Sequence, residues 1–300
     1  MRDSAGALTL AVRMRPKLSI ITPSFRQLDW LKLCAASIAD QREVAVEHIV
    51  QDGGTGAELE AWAREWAECE KRGGGFAFRW FMEKDEGMYD AVNRGLHRAS
   101  GEVLAYLNCD EQYLPGALAA VARYFAENPP VDVAFAHAIV VDPRGEFISY
   151  RKAITPGKLH TWVSENLAIL TCATFFRRRI LDELGLFFDP KLKDVGDGDW
   201  VMRLIDKGVR MGVLPIFTST FTETGENRNL APTAMREKAE LMASAPAWAR
   251  ALRPAIVAHY RLRKWLHGAY RQAPFDYSVF LTPTARTSFH VAKPSFRWNR

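Results

Sequence analysis

No stretch of this chain approaches the roughly 18 consecutive apolar residues that a membrane-spanning helix needs, so nothing in it reads as a transmembrane segment. Cysteine is scarce. Cys34, Cys69, Cys109 and Cys172 lie far apart and form no CxxC pair, which argues against a disulfide framework or a zinc site and points to a reducing compartment. Glycine-rich phosphate loops are missing as well. Gly53-Gly54-Thr55-Gly56 is not a GxGxxG fingerprint, and no Gly-Lys-Ser/Thr follows a strand, which excludes the common dinucleotide and P-loop signatures. There are no internal repeats or low-complexity tracts, so solenoid, collagen and coiled-coil architectures fall away. Residues 1–16 carry only a short apolar run between charges, too little for a signal-peptide h-region; they are expected to form a loose leader.

What remains is ordinary globular material, 48% apolar and 25% charged over 300 residues, enough for one large α/β domain with an appendage. The net charge of +5 is uneven. From Trp248 onward ten Lys/Arg face one acid, Asp276, so the tail is +9 and the rest −4. An acidic body with a basic tail suggests a partner for the tail, not a nucleic-acid enzyme.

Along the chain, Lys17 to Thr22 reads as a buried strand ending at Pro23, followed by helical spacing over Leu28 to Ile38. Val44 to Gln51 is a second strand stopped by Asp52-Gly53-Gly54, Glu58 to Glu70 a helix, and Phe76 to Phe81 an alternating third strand. Met88 to Ala99 is helical, Val103 to Leu107 a fourth strand, and a helix runs from Pro115 to about Glu127. Strand, helix, strand, helix is the order of a mainly parallel, doubly wound sheet, in which ligands gather at the carboxyl ends of strands. Ser24, Asp52 and Asp110 stand at those ends. The second half is less regular: strands over Val133 to Val141 and Glu146 to Arg151, a helix over Trp200 to Lys207, a strand over Val209 to Phe217, then helical pattern from Ala231 and irregular chain after Pro274.

Three carboxylates could carry chemistry. Asp110, closing Leu107-Asn108-Cys109-Asp110-Glu111, can ligate a divalent cation bridging a diphosphate, although Asp is common in any such turn. Asp197 lies between Gly196 and Gly198, where it can reach a cleft as a base for a sugar hydroxyl; Asp199 reads as the cap of the helix that follows. Asp52, beside its glycines, can accept from a nucleobase N–H, or simply hold a turn.

The set is more specific than its parts. Glu83-Lys84-Asp85-Glu86-Gly87-Met88-Tyr89-Asp90-Ala91-Val92-Asn93-Arg94-Gly95, Ala99-Ser100-Gly101-Glu102 and Leu107-Asn108-Cys109-Asp110, with Ser19 to Phe25, Ala173 to Arg178 and Asp197-Gly198-Asp199-Trp200, closely resemble the family 2 inverting glycosyltransferases. The resemblance covers roughly residues 17 to 228 and is similar to the subgroup of exopolysaccharide and O-antigen assembly. It implies the GT-A fold, a nucleotide-diphosphate sugar (UDP- or GDP-sugar) as donor, Mn²⁺ or Mg²⁺ held by a DXD-like motif, and inversion at the anomeric carbon. Carried over by position, Pro23, Ser24, Asp52, Asp85 and Asn93 line the nucleotide pocket, Asn108 and Asp110 belong to the metal motif with Asp110 the ligand, Asp197 is the base, and Arg177 or Arg178 pairs with the diphosphate. The chain departs from the family where the metal motif ends Asp110-Glu111 instead of Asp-Asp, where Gly196 precedes the base, and where Thr171-Cys172 replaces His-Gln.

The tail adds a helical stripe of Ala258, Leu262, Trp265, Leu266 and Ala269, with His259, Arg263, Lys264 and His267 away from it. Such a helix can lie in a membrane interface beside anionic lipids or pack its stripe on the body. The expectation is therefore a leader over 1–16, a GT-A domain over 17–230 and a basic, helical to irregular extension over 231–300. The protein would be cytoplasmic, peripheral at the inner face of the membrane, and would transfer a sugar to a saccharide or lipid-linked saccharide during surface polysaccharide assembly. The competing expectation is a GT-A-shaped binding or scaffold protein that has lost catalysis; a nucleotidyltransferase ranks last, because the loop after the first strand, Pro23 to Gln27, has no glycine.

Overall fold

The computed structural model describes residues 17–70, 75–164, 167, 169–225 and 231–298; the expected leader lies outside them. The strands β1 (Leu18–Ser24), β2 (Val46–Asp52), β3 (Phe76–Met82) and β4 (Val103–Tyr106) alternate with helices α1 (Leu28–Ala39), α2 (Ala57–Glu70) and α3 (Met88–Arg98). They pair in parallel in the order β3-β2-β1-β4. All seven residues of β1 and of β2 are buried, as expected of strands covered by helices on both faces. Leu18 and Ile20 pack with Cys34 and Ile38 of α1, while Ile21 packs with Val92 and Leu96 of α3. Each Leu or Ile so enclosed contributes about 1.5–3 kcal/mol.

The second half completes the sheet with β5 (Gln112–Tyr113), β6 (Val133–Val141), β7 (Phe147–Arg151), β8 (Thr174–Arg177) and β9 (Met211–Thr222), and with helices α4 (Ala117–Glu127), α5 (Lys158–Val163), α6 (Arg179–Asp182) and α7 (Gly196–Asp206). Here the doubly wound pattern changes. β8 runs antiparallel between β4 and β6, β6 pairs parallel with β9, and β5 closes the edge antiparallel to β9. The sheet is thus α/β and parallel in its first half but mixed overall.

The extension comprises helices α8 (Pro232–Ala243), α9 (Ala247–Ala251) and α10 (Arg253–Leu266), then an antiparallel hairpin of β10 (Phe275–Thr282) and β11 (Ala285–Val291). The hairpin occupies chain that reads as irregular by sequence. Tyr277, Val279 and Val291 share a buried cluster with Leu114, Ile139 and Val141 of the sheet. Arg286 reaches Asp40 at 2.7 Å and the Tyr113 carbonyl at 3.1 Å, and Gln112 pairs both ways with the backbone of Phe280. Beyond it, the Tyr150 amide donates to the Ser295 carbonyl and Trp298 packs on Phe221, so the segment from Ser295 to Trp298 lies against the body.

Candidate functional site

The sheet makes its own cleft. The β1–β2 ladder runs to Ser24↔Asp52, but the β1–β4 ladder stops at Ile21↔Tyr106. Ile21 accepts from Leu107 on the β4 side, and Pro23, two residues on, faces the same way without an N–H to offer. With no further ladder bond there, β1 and β4 part. The chain runs outward from β1 through β2 to β3 and then returns to β1's other side, so this opening is the topological switch point of the sheet.

On one side of the opening stand Ser24, Asp52 and Asp85. The Ser24 hydroxyl is buried and has no protein partner. Asp52, 1% exposed, accepts from the Gly54 and Thr55 amides at 3.0 and 2.7 Å and from the Thr55 hydroxyl at 2.6 Å, so its carboxylate shapes the loop. Asp85 lies across Gly53; a Cβ there would strike its carboxylate. Burial first, then the charges of Asp90 and Asp52, raise the Asp85 pKa. Phe25, 58% exposed, presents its ring 3.4 Å from where a Gly54 side chain would begin.

On the other side the turn after β4 carries Asn108 to Glu111. Asp110 keeps partial exposure and, among the described residues, forms no ion pair. Glu111 is 1% exposed and turns inward: Oε2 accepts from the Asn108 amide at 2.8 Å, while Oε1 is buried without a partner. Burial raises both acids' pKa values, and the charge of Asp110 raises Glu111 further. Two of the departures from the family lie close together, since burial and then the charge of Glu111 raise the pKa of the buried Cys172. Of the two acids Asp110 keeps the exposure, and among the described residues no cluster of three or more His, Cys, Asp or Glu could hold a metal. The donor set fits a hard cation held by one carboxylate and completed by substrate phosphate oxygens.

Asp197 sits in the first turn of α7. Its amide donates to the Tyr89 hydroxyl at 3.1 Å, and its Oδ1 accepts from Gly198 at 2.8 Å. Burial pushes its pKa up to about 6. Gly196 is required by Tyr89, whose ring stands 2.6 Å from where a Cβ would lie, which accounts for the glycine before Asp197. The segment leading in is held from the extension: buried Glu237 of α8 accepts from the Lys193, Asp194 and Val195 amides at 2.9, 3.0 and 3.1 Å. Beside Asp197 opens a cavity of about 240 Å³ walled by the body and the extension together.

Other expectations need correction. Asn93 spends its amide on Phe188, donating to the carbonyl at 2.8 Å and accepting from the amide at 3.1 Å, so it fixes the segment before α7 and its amide is not free for a nucleotide. Arg177 pairs in register with Val103, at the start of β4 and the opposite end of the sheet from Asp110. Its guanidinium serves the Val131, Phe125 and Asn128 carbonyls, and that of Arg178 serves Gly101. Neither can pair with a diphosphate at the cleft. Asp199 does not cap α7, which begins at Gly196; it pairs with Arg203 one turn on at 2.7 Å. Sequence reasoning missed Phe25, Tyr89 and Glu237 as separate contributors. Tyr89 and Phe25 stood inside the matched motifs, whereas nothing local marks Glu237, 40 residues from Asp197.

Comparison with known proteins follows the same outline. The family model described as Glycosyl transferase family 2 matches residues 19–185. An uncharacterized glycosyltransferase of Mycobacterium tuberculosis is 37% identical over 118 residues, 39% of this chain and 42% of that protein. A PGL/p-HBAD biosynthesis glycosyltransferase of Mycobacterium bovis is 32% identical over 126 residues, 42% of this chain and 48% of that one. The chain thus spans less than half the length of these curated relatives. Among solved structures, S. aureus TarS 1–349 in complex with UDP-GlcNAc superposes with TM-score 0.57 at 18% identity, covering 83% of this chain and 73% of that one. The Pyrobaculum calidifontis mannosyltransferase PcManGT, in complex with GDP-Man and Mn²⁺, gives 0.54 at 19% identity, over 83% and 76%. These likenesses establish a shared GT-A fold.

Proposed function

This chain belongs to glycosyl transferase family 2, and from that premise we propose that it transfers a sugar, with inversion, from a UDP- or GDP-sugar to an acceptor hydroxyl. The observation that carries the reading is that Asp197, at the start of α7 and set there through Tyr89, lines one pocket with Tyr106 at the end of β4, the strand whose following turn holds Asp110 at the switch point. Ser24, Asp52, Asp85 and the exposed ring of Phe25 make the nucleoside end, Phe25 as a stacking surface for the base. Asp110 would hold Mn²⁺ or Mg²⁺, which when bound neutralises charge developing on the leaving diphosphate. Asp197 takes the proton of the acceptor hydroxyl, whose oxygen attacks the anomeric carbon opposite the leaving group. A pKa near 6 leaves Asp197 ionised at neutral pH yet basic enough for the task.

Surface polysaccharide or glycolipid assembly is the setting we propose. No helix among the described residues is long and apolar enough to cross a membrane. However, α10 exposes Leu262, Trp265 and Leu266 (52%, 59% and 66%) with Leu252 and Trp248 beside them. With exposed His259 and Arg261 on the same helix, this face suits the interface of an anionic bilayer. The 17–230 and 231–300 divisions are proposed as one catalytic unit, since Glu237 of the second supports Asp197 of the first.

The test is Asp197→Asn. Turnover should fall roughly 100- to 10,000-fold while calorimetric affinity for UDP or GDP with Mn²⁺ stays unchanged. Near-normal turnover in that variant would remove Asp197 as the base, and nucleotide-independent behaviour of a folded sample would favour a scaffold.

A further inference from the structure

The cavity beside Asp197 carries four cations, Arg151, Lys152, Lys238 and Lys264, against two carboxylates, Asp194 and Asp197. Lys264, on the body-facing side of α10, has no carboxylate partner among the described residues. Its ammonium lies over the rings of Tyr260 and Tyr270, at 5.8 and 5.5 Å. Burial, then the charge of Arg151, pulls its pKa down to about 8. The charge of Arg151 thus bears on Lys264 inside the cavity, and an anion bound beside Lys264 would relieve that repulsion. The walls also carry Trp162, Tyr260 and Trp298, flat faces of the kind on which a sugar or acyl group packs.

We infer that this cavity is an acceptor subsite that takes a phosphate-bearing group, setting the hydroxyl to be glycosylated beside Asp197. The inference rests on Asp197 being the base. The catalytic body contributes Arg151 and Asp197 to the cavity and the extension contributes Lys238 and Lys264, so the extension helps choose the acceptor. A phosphate here could come from the acceptor or from the donor's own diphosphate, and the experiment separates the two.

The full chain is saturated with UDP or GDP plus Mn²⁺ and titrated with phenyl phosphate, with neutral phenyl β-glucoside in parallel, using the fluorescence of the wall tryptophans and calorimetry. Phenyl phosphate is expected to bind the nucleotide-saturated protein, the neutral probe much less. Lys264→Gln should weaken phenyl phosphate by about tenfold or more, the scale of one charge-assisted hydrogen bond. Lys264→Arg should retain it, and nucleotide affinity should be unchanged in both. Displacement of phenyl phosphate by the nucleotide would assign the cavity to the donor diphosphate and overturn the inference. So would equal binding of the two probes, or unchanged binding in Lys264→Gln. If Lys264→Gln does not fold, the wild-type arms decide alone: no phenyl phosphate binding by a protein that binds nucleotide overturns the acceptor subsite and leaves the donor reading standing. Failure to bind any nucleotide would instead remove the reading beneath it.

Discussion

Glu111 and Asp110 are neighbours in the chain with opposite fates. One points into the core with an orphaned oxygen, and the other stays at the cleft. Because burial and Asp110 raise the Glu111 pKa, the folded state holds this proton more tightly than the unfolded chain does. Its contribution to stability is full below the ordinary carboxylate range and is lost as pH rises through the raised value. Glu111→Gln keeps the shape and the acceptor for Asn108, so its melting temperature should exceed wild type at about pH 8, by roughly 2–4 °C for each kcal/mol relieved. The gain should shrink towards about pH 5; an equal melting temperature at the higher pH would contradict the enclosed charge. Asp197 obeys the same sign with a functional readout. As a base it must be ionised, so turnover should decline as pH falls through about 6, and a rate flat across that range would argue for another base. At this scale the sequence singles out Asp110 and Asp197 by their strand-end and glycine-flanked settings, while the roles proposed for them come from the family resemblance. It could not tell that Asn93, Arg177 and Arg178 are committed to backbone carbonyls, because hydrogen-bond partners tens of residues away leave no local mark.

Helix α7 starts earlier than its local pattern suggests. Gly196-Asp197-Gly198-Asp199 is poor helix-forming sequence, yet it is helical because Tyr89 packs on Gly196 and Glu237 takes three amides just upstream. Glu237→Ala removes those acceptors and should cost roughly 1–3 kcal/mol in chemical denaturation. It should also lower kcat with little change in nucleotide affinity, since it acts on the base through α7. Unchanged kcat in a folded variant would mean that Glu237 holds the chain without positioning Asp197. In helix α10 Ala258, Leu262, Trp265 and Leu266 of the apolar stripe face outward, while Ala269, past the helix end, is buried. Arg263 donates to Thr155 at 3.1 Å and Lys264 lines the cavity, so the cationic side meets the body. The β10–β11 hairpin occupies chain that reads as irregular after Pro274; what fixes it is the packing of Tyr277 and Val279 against Ile139 and Val141 of the sheet.

At the scale of the molecule, the outward stripe has a measurable consequence. Leu262→Ser with Trp265→Ser should reduce co-sedimentation with vesicles containing about a third phosphatidylserine, at unchanged melting temperature, and salt should weaken what wild-type binding there is. Equal sedimentation of variant and wild type would exclude this face as the membrane contact.

The sequence by itself determined the α/β class, the four parallel strands and the family. Those rest on local signals: runs of β-branched residues, helical spacing, and short motifs in fixed order at strand ends. The tertiary structure alone decided that the far half of the sheet is mixed, that Glu111 turns inward to the Asn108 amide, and that Glu237 and Lys264 of the extension meet the segment and the cavity beside Asp197. Those outcomes depend on which distant groups satisfy buried hydrogen bonds and charges. That accounting closes only once the whole chain is packed.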